Sequence, residues 1–460
     1  MHKSNVAVRA LDYQRDIAHF ASRLADLPGF VVLASNVVDS QETPRSGRYD
    51  VITALPEQTL SVADFDGDLQ AWMSAIEARL ALGQFAQPSD ATGDIPFLGG
   101  AIGYLDYDSA AAQHGVKHAS VDHLLGRTAG WAGLYRWCIV QDHQQRQSWC
   151  FIDPGVSVST SAMIEQRVFD ERWQPTPRTF KLTAPFSADV TRARYQRDVL
   201  AIQAYIQAGD CYQVNYAQRF SAQYRGDTWA AFEQLRKTSG GNFSAYLRPS
   251  PEHSILSFSP ERFLTVNACS VETQPIKGTR PRSADPERDK HLAMALQNSA
   301  KDRAENVMIT DLLRNDLGRF CEVGSVKVPE LCALHSYPNV HHLVSTVVGK
   351  LRPNISSGNL LAGSSPGGSI TGAPKRRAVE IIAELESSPR GAYCGSVFAL
   401  SANGWLQSSI AIRTVEALNG QLVCWGGGGI TADSDWQAEY QETLDKIGGF
   451  MAALEQHFGG

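Results

Sequence analysis

The sequence predicts an α+β protein, and three observations carry that prediction. The first half of the 460 residues reads as short β runs broken by turn chemistry, whereas the second half alternates helices with strands. Between about residues 173 and 189 the chain becomes proline-dotted and aperiodic (QPTPRTFKLTAPFSAD), which marks a linker. The expected division is an N-terminal region over residues 1–175 and a larger C-terminal region over 190–460 that holds every chemistry-bearing motif.

In chain order, Phe30–Leu33 (FVVL), Tyr49–Ala54 (YDVITA) and Trp137–Val140 are strand-like, and Leu98–Tyr104 (LGGAIGY) is rich in glycine. After the linker comes a well-marked helix. Thr191 suits its N-cap, Tyr195, Val199, Ile202 and Ile206 recur at helical spacing, and Gly209 suits the C′ position. No internal repeat or low-complexity tract interrupts this order.

Composition narrows the class of function. A formal net charge of −6 argues against a bulk nucleic-acid binder, which would show a basic stripe. The eight cysteines form no CxxC pair and are irregularly spaced, so neither a zinc site nor a disulfide framework is indicated. Reduced thiols, an N-terminus without a signal-peptide core, and the lack of any apolar run of about 18 residues lead to the expectation of a cytoplasmic enzyme that does not span a membrane.

Two acidic pairs stand out. Asp302 and Glu305 are spaced i, i+3 in AKDRAENVMITDLLRND, and Glu439 and Glu442 repeat that spacing in SDWQAEYQETLDK, with Lys446 one turn on. Carboxylates on facing helices suit a hard, oxygen-seeking cation such as Mg2+. Two solvated helix faces are the plainer alternative. The run Gly426–Gly429 follows the strand-like QLVCW and is read as a nest of converging backbone N–H groups for an anion, or else as a turn. A second segment, SPGGSITGAPKRR, nearly fits a phosphate-binding loop, but Ala373 and Pro374 stand where Lys and Ser/Thr are required. A carboxylate ligand becomes the better candidate. Lys277 and Glu261 complete the set: a lysine with a depressed pKa is a nucleophile, and a glutamate with a raised one is a general acid. Arg280 and Arg282 are expected to help depress Lys277. Taken singly, both residues read as surface charges rather than catalysts.

The order SPERF (259–263), PIKGT (275–279), AENVMITDLLRNDLGR (304–319), HHLVSTVVG (341–349), PGGSITGAPKRRA (366–378), AIRT (411–414) and GGGGI…EYQETLDK (426–446) resembles the chorismate-utilising enzymes, and among them the branch that aminates chorismate at C4 on the way to 4-aminobenzoate and folate. The resemblance implies antiparallel sheets flanked by helices. It further implies Mg2+ held by Glu305 and Glu442, with Asp302 and Glu439 acting through water. His342, Ser369, Tyr393, Arg413, the backbone of Gly426, Gly427, Gly428 and Gly429, and Lys446 contact the substrate, Glu261 is the general acid, and Lys277 is the residue that distinguishes C4 amination. Anthranilate-forming relatives usually carry alanine there. Isochorismate-forming relatives use a lysine base where Gln213 stands in this chain. Looser N-terminal matches, Leu33-x-Ser35 and residues 47–56, imply a tryptophan pocket that includes Ser35, as regulator or structural ligand. No glutamine-hydrolysing segment is evident, so a separate glutamine amidotransferase subunit is implied as the ammonia source. The rival readings are an anthranilate-forming subunit, a catalytically silent tryptophan-binding regulator and a generic phosphate-binding enzyme.

Overall fold

In the computed structural model, residues 6–35, 48–83, 85, 95, 97–118, 126–238, 241–337 and 340–459 are described. Two antiparallel sheets, of thirteen and ten strands among these residues, form the body. Strands from before and after the proline-dotted stretch share both sheets. In the larger, Val31–Ala34 pairs with Phe243–Ser250; in the smaller, Gly100–Leu105 pairs with Ser396–Ser401.

Strand parity explains why FVVL and YDVIT read as unbroken apolar runs. Successive side chains point to opposite faces. Val31, Val51, Cys138 and Val140 enter a core with Ile102, Tyr104, Val397 and Ala399 of the smaller sheet. Their neighbours Val32, Ile52 and Ile139 enter another, shared with Phe20 and Leu24 of the Ala18–Leu24 helix and with Ile447 and Phe450 of the Trp436–Phe458 helix. A third cluster covers the smaller sheet, through Trp72 and Ile76 of Leu69–Leu82 and Leu360 and Leu361 of Ser357–Ser364. The result is a sandwich of sheets with helices outside, the α+β arrangement expected.

The three strand expectations hold within a residue or two, as Val31–Ala34, Tyr49–Thr53 and Trp137–Asp142, and the glycine-rich stretch proves to be a strand as well, Gly100–Leu105. So does the helix after the linker, Arg192–Gln207. Thr191 caps it by accepting from the Arg194 amide at 3.2 Å, and Gly209 ends it at φ +84°, a left-handed turn that glycine adopts without strain. The linker itself is more ordered than its composition suggests. Phe180–Leu182 and Ser187–Ala188 pair along the Gln213–Gly226 strand.

One buried ion cluster braces the end of the larger sheet. Glu416, on the Thr414–Leu418 strand, accepts from Arg127 Nε at 2.9 Å and the Ala392 amide at 3.3 Å, and lies 2.9 Å from His253 Nε2. Burial alone would raise its pKa, but Arg127 and His253 outweigh it and hold the carboxyl at about 2. A depressed carboxylate pKa contributes stability that is complete above the ordinary value of 4.5 and is lost as pH falls toward 2. Glu416→Gln is expected to cost about 3–5 kcal/mol near neutrality, because Arg127 loses its buried counter-charge, and to flatten the fall of Tm between pH 4.5 and pH 2. An unchanged Tm–pH curve in acid would refute it.

Candidate active site

The site lies where the Gln421–Ile430 strand, the Trp436–Phe458 and Ala300–Gly318 helices, the Ile276–Pro281 strand and the Gly368–Ile370 turn meet. Lys277 enters it from a strand whose register with Val340–Lys350 shifts between Lys277 and Thr279, a bulge that re-aims the side chain. Its Nζ donates to the Ser369 carbonyl at 3.3 Å. Burial lowers the pKa of this amine; Lys446 adds to that effect, while Glu261, Glu305 and Glu442 oppose it. The arginines expected to depress Lys277 are not among the main causes of that shift. Arg280 turns to Asp302 at 3.1 Å and Arg282 to Asp289 at 2.9 Å, so each is neutralised by its own carboxylate.

Glu261 follows the His253–Ser259 strand and is 7% exposed. Burial raises its pKa, against the opposing hydrogen bond from Ser369 and the charges of Lys277 and Lys446. A carboxyl in this setting is suited to hold a proton. Lys277 and Glu261 are therefore neighbours joined through Ser369, although in sequence each looks like a surface charge.

The acidic pairs lie on helices as their spacing requires. Glu305 is coupled to Glu442 and Lys277 by charge, and burial raises its pKa. Its nearest cation is Lys301 Nζ, at 4.0 Å. Glu439 is buried and accepts from Ser434 Oγ at 2.7 Å; burial and the charge of Glu442 raise its pKa. Burial raises that of Glu442 as well, but Lys446, 2.6 Å away, prevails and the net shift is downward. Asp302 is held by Arg280 instead. Among the described residues, no three His, Cys, Asp or Glu side chains are gathered closely enough to hold a metal ion by themselves. An all-oxygen donor set built round Glu305 and Glu442 nonetheless fits Mg2+, which keeps waters and takes ligands from its substrate.

The glycine run departs from expectation. Gly426–Gly429 do not form a nest; they continue the strand, pairing with Gln218, Ala217, Tyr216 and Asn215. None has a positive φ, so successive N–H groups alternate in direction rather than converge. What requires glycine here is the approach of the carboxylate helix and of Gln213. A Cβ on Gly426 would stand 2.3 Å from the Thr443 carbonyl oxygen, one on Gly428 3.0 Å from Glu439 Oε2, and one on Gly429 1.9 Å from Gln213 Nε2. Lys446 Nζ donates to the Gly427 carbonyl at 2.7 Å and so sits over the same strand.

The remaining substrate candidates line the rim. His342 lies 2.9 Å from the Thr279 hydroxyl, and burial lowers its pKa to about 4, so the ring is neutral at ordinary pH. Tyr393 stacks on Trp425, with ring centroids 5.7 Å apart and planes 7° from parallel. Arg413 adopts φ +53°, and its electrostatic surroundings are burial and Tyr393 with no carboxylate, which leaves a guanidinium free for a carboxylate of the ligand. Thr279 and Trp425 escaped the sequence reading. Thr279 is the last residue of PIKGT, and Trp425 the last before the glycines; adjacency to motif residues was the available signal.

The family model for chorismate binding enzymes matches residues 37–452. The chain belongs to the chorismate-binding enzymes. It is 43% identical over 462 aligned residues to aminodeoxychorismate synthase component 1 of Klebsiella aerogenes, covering 98% of this chain and 99% of that one. The corresponding protein of Escherichia coli strain K12 is 42% identical, with coverage of 98% and 99%. Among solved structures, anthranilate synthase component I of Streptococcus pneumoniae superposes with a TM-score of 0.77 at 28% identity, covering 90% of this chain and 94% of that one. The menaquinone-specific isochorismate synthase of Escherichia coli shares the fold, with a TM-score of 0.73 at 17% identity and coverage of 98% and 95%.

Proposed function

We propose that this protein is the component of an aminodeoxychorismate synthase that converts chorismate and ammonia to 4-amino-4-deoxychorismate, the precursor of 4-aminobenzoate. The observation that carries the reading is the buried junction of Lys277 and Glu261 across Ser369, in a chain whose full-length relatives bear that enzyme's name.

The chemistry follows from the residues. Neutral Lys277 Nζ attacks C2, both ring double bonds shift (C1=C2 to C1=C6 and C5=C6 to C4=C5), and the C4–O bond breaks as the departing hydroxyl takes the Glu261 proton and leaves as water. Ammonia then attacks C4, both double bonds shift back, the C2–N bond breaks to release neutral Lys277, and the surplus proton on the new C4 ammonium returns to Glu261. The enolpyruvyl group is untouched. Arg413 and Lys446, one free and one free to exchange partners, suit the two carboxylates of the substrate. Glu305 and Glu442 would hold Mg2+, with Glu439 and Asp302 behind them. The bound ion supplies positive charge for the ring carboxylate. Gln213, 1% exposed and packed on Gly429, is no base, which disfavours addition of water.

The relatives' designation as component 1 implies a second component; we take it to be a glutamine amidotransferase that delivers ammonia. Free ammonium should substitute for it. Incubation with chorismate, Mg2+ and ammonium is expected to yield the 4-amino product without pyruvate. Release of pyruvate with anthranilate would favour the rival reading. Among the described residues no helix is long and apolar enough to cross a membrane, in keeping with a cytoplasmic setting.

A second ligand is proposed for a cavity of about 100 Å³ between the sheets, lined by Leu33, Ser35, Tyr49, Val51 and Trp405 among others. Ser35 reaches it through its place beside Asp50, whose Oδ1 accepts from the Ser35 amide at 2.7 Å and its hydroxyl at 2.9 Å. The matched segment 47–56 lines it too, although Gly47 lies outside the described residues. Tryptophan suits such an apolar pocket with one polar edge. Adding tryptophan is expected to raise Tm, and the absence of any shift at millimolar concentration would remove this reading.

A further inference from the structure

We propose that Arg390, paired with Glu386, is a positioning residue that fixes the Ser369 turn against the Gln213–Gly226 strand, the partner of the glycine run, and thereby sets the spacing of Lys277 and Glu261. The pair is buried, at 1% and 3% exposure. Two hydrogen bonds join it: Arg390 Nε to Glu386 Oε2 at 2.9 Å and Nη2 to Oε1 at 2.7 Å. The other donors of the guanidinium are spent on backbone from two separate segments. Nη1 donates to the Ile370 carbonyl at 3.1 Å, one residue after Ser369, and Nη2 to the Asn215 carbonyl at 2.6 Å, opposite Gly429. Glu386 Oε1 also accepts from the Ala217 amide at 2.9 Å, opposite Gly427. The Asn215 amide in turn donates to the Thr371 carbonyl at 2.8 Å. The guanidinium lies over the Tyr393 ring, 5.7 Å from its centroid.

Stability alone is a weak reason to bury such a pair, since apolar side chains of similar volume often serve a fold as well or better. What an apolar pair cannot do is tie three backbone groups at fixed distances. One of those groups adjoins Ser369 and the other two belong to the strand bonded to Thr371; the Ser369 carbonyl takes the Lys277 amine and its hydroxyl meets the Glu261 carboxylate. A shift of about 1 Å in this turn would misplace both groups, an error felt on the order of a hundredfold in rate.

This inference rests on the proposed amination, and its test keeps the two apart: a wild-type protein that makes no 4-amino product would overturn the proposed reaction first. The double variant Glu386→Met/Arg390→Met removes both charges and retains volume. Relative to either single variant, which leaves one charge buried alone, it is expected to recover most of the lost Tm. Its kcat should still fall about a hundredfold, with KM for chorismate within about threefold because the guanidinium touches no proposed substrate ligand except the face of Tyr393. Arg390→Lys keeps the charge but cannot span Ile370 and Asn215 together, and should lose at least tenfold in kcat with a smaller loss of Tm than either single methionine variant. A purely structural pair predicts that activity follows Tm; wild-type kcat in Arg390→Lys, or in a double variant of recovered Tm, would overturn the proposal.

Discussion

Lys277→Ala is expected to reduce formation of 4-amino-4-deoxychorismate by three orders of magnitude or more, roughly the scale on which loss of a covalent catalyst is felt, while chorismate still binds. The physical ground is the state of the amine. An ordinary lysine near neutrality is a cation with no lone pair to offer. Here burial opposes the charged form and the neighbouring Lys446 adds to it, against the counter-pull of Glu261 and Glu305. Because the shift is downward, the nucleophilic fraction at a given pH exceeds that of a free lysine. The wild-type rate should rise with pH through the lowered lysine pKa, and any residual rate in the variant should lack that limb. Without the lysine, ammonia is left to attack C2 directly, so residual turnover should appear as the 2-amino isomer or as anthranilate with pyruvate. Chromatography with mass detection separates these products, and a fluorescence titration measures chorismate affinity. Wild-type output of the 4-amino product by the variant would end the covalent role.

Much of this site was legible before any coordinates, because helical periodicity is local. The spacing of Asp302 and Glu305, and of Glu439 and Glu442, fixed each pair to one helix face, and Thr191 and Gly209 marked the ends of a helix to the residue. The strands were legible for a similar reason, although the apolar runs concealed that their two faces serve different cores. The errors arose where long-range contact decides. Arg280 and Arg282 stand close to Lys277 in sequence, but charges act through space, and each has a carboxylate of its own. The glycine run reads as a turn or nest because composition cannot separate a residue chosen for its φ from one chosen for lack of a side chain. Gly426 is the second kind, since a Cβ there would stand 2.3 Å from the Thr443 carbonyl oxygen. The proline-dotted stretch broke periodicity, yet its short strands find partners in a strand beginning more than twenty residues later. Nothing in the spacing of Arg390 and Glu386 distinguished them from an exposed i, i+4 pair; only burial does so.

Glu305→Ala is expected to weaken Mg2+-dependent binding of chorismate by roughly a hundredfold, the upper end of what disturbing the surroundings of a metal ligand costs, without harming the fold. The two halves of that expectation have one cause. Glu305 is partly buried, its side chain 20% exposed, and it accepts no hydrogen bond among the described residues; its nearest cation is the exposed Lys301, at 4.0 Å. Burial therefore raises its pKa. A carboxylate whose pKa is higher in the folded chain than in the unfolded one subtracts from stability above its ordinary value of 4.5. Without the cation, then, the alanine variant should melt no earlier than wild type at neutral pH, and somewhat later if the discount for partial exposure is small. Adding Mg2+ with chorismate should raise the wild-type Tm far more than that of the variant, because binding to the folded form alone stabilises it. Asp302→Asn should respond more mildly, since its partner Arg280 already neutralises it. A Tm gain in Glu305→Ala equal to the wild-type gain, at the same Mg2+ concentration, would exclude Glu305 as a ligand and move the cation to the Glu439–Glu442 side of the pocket.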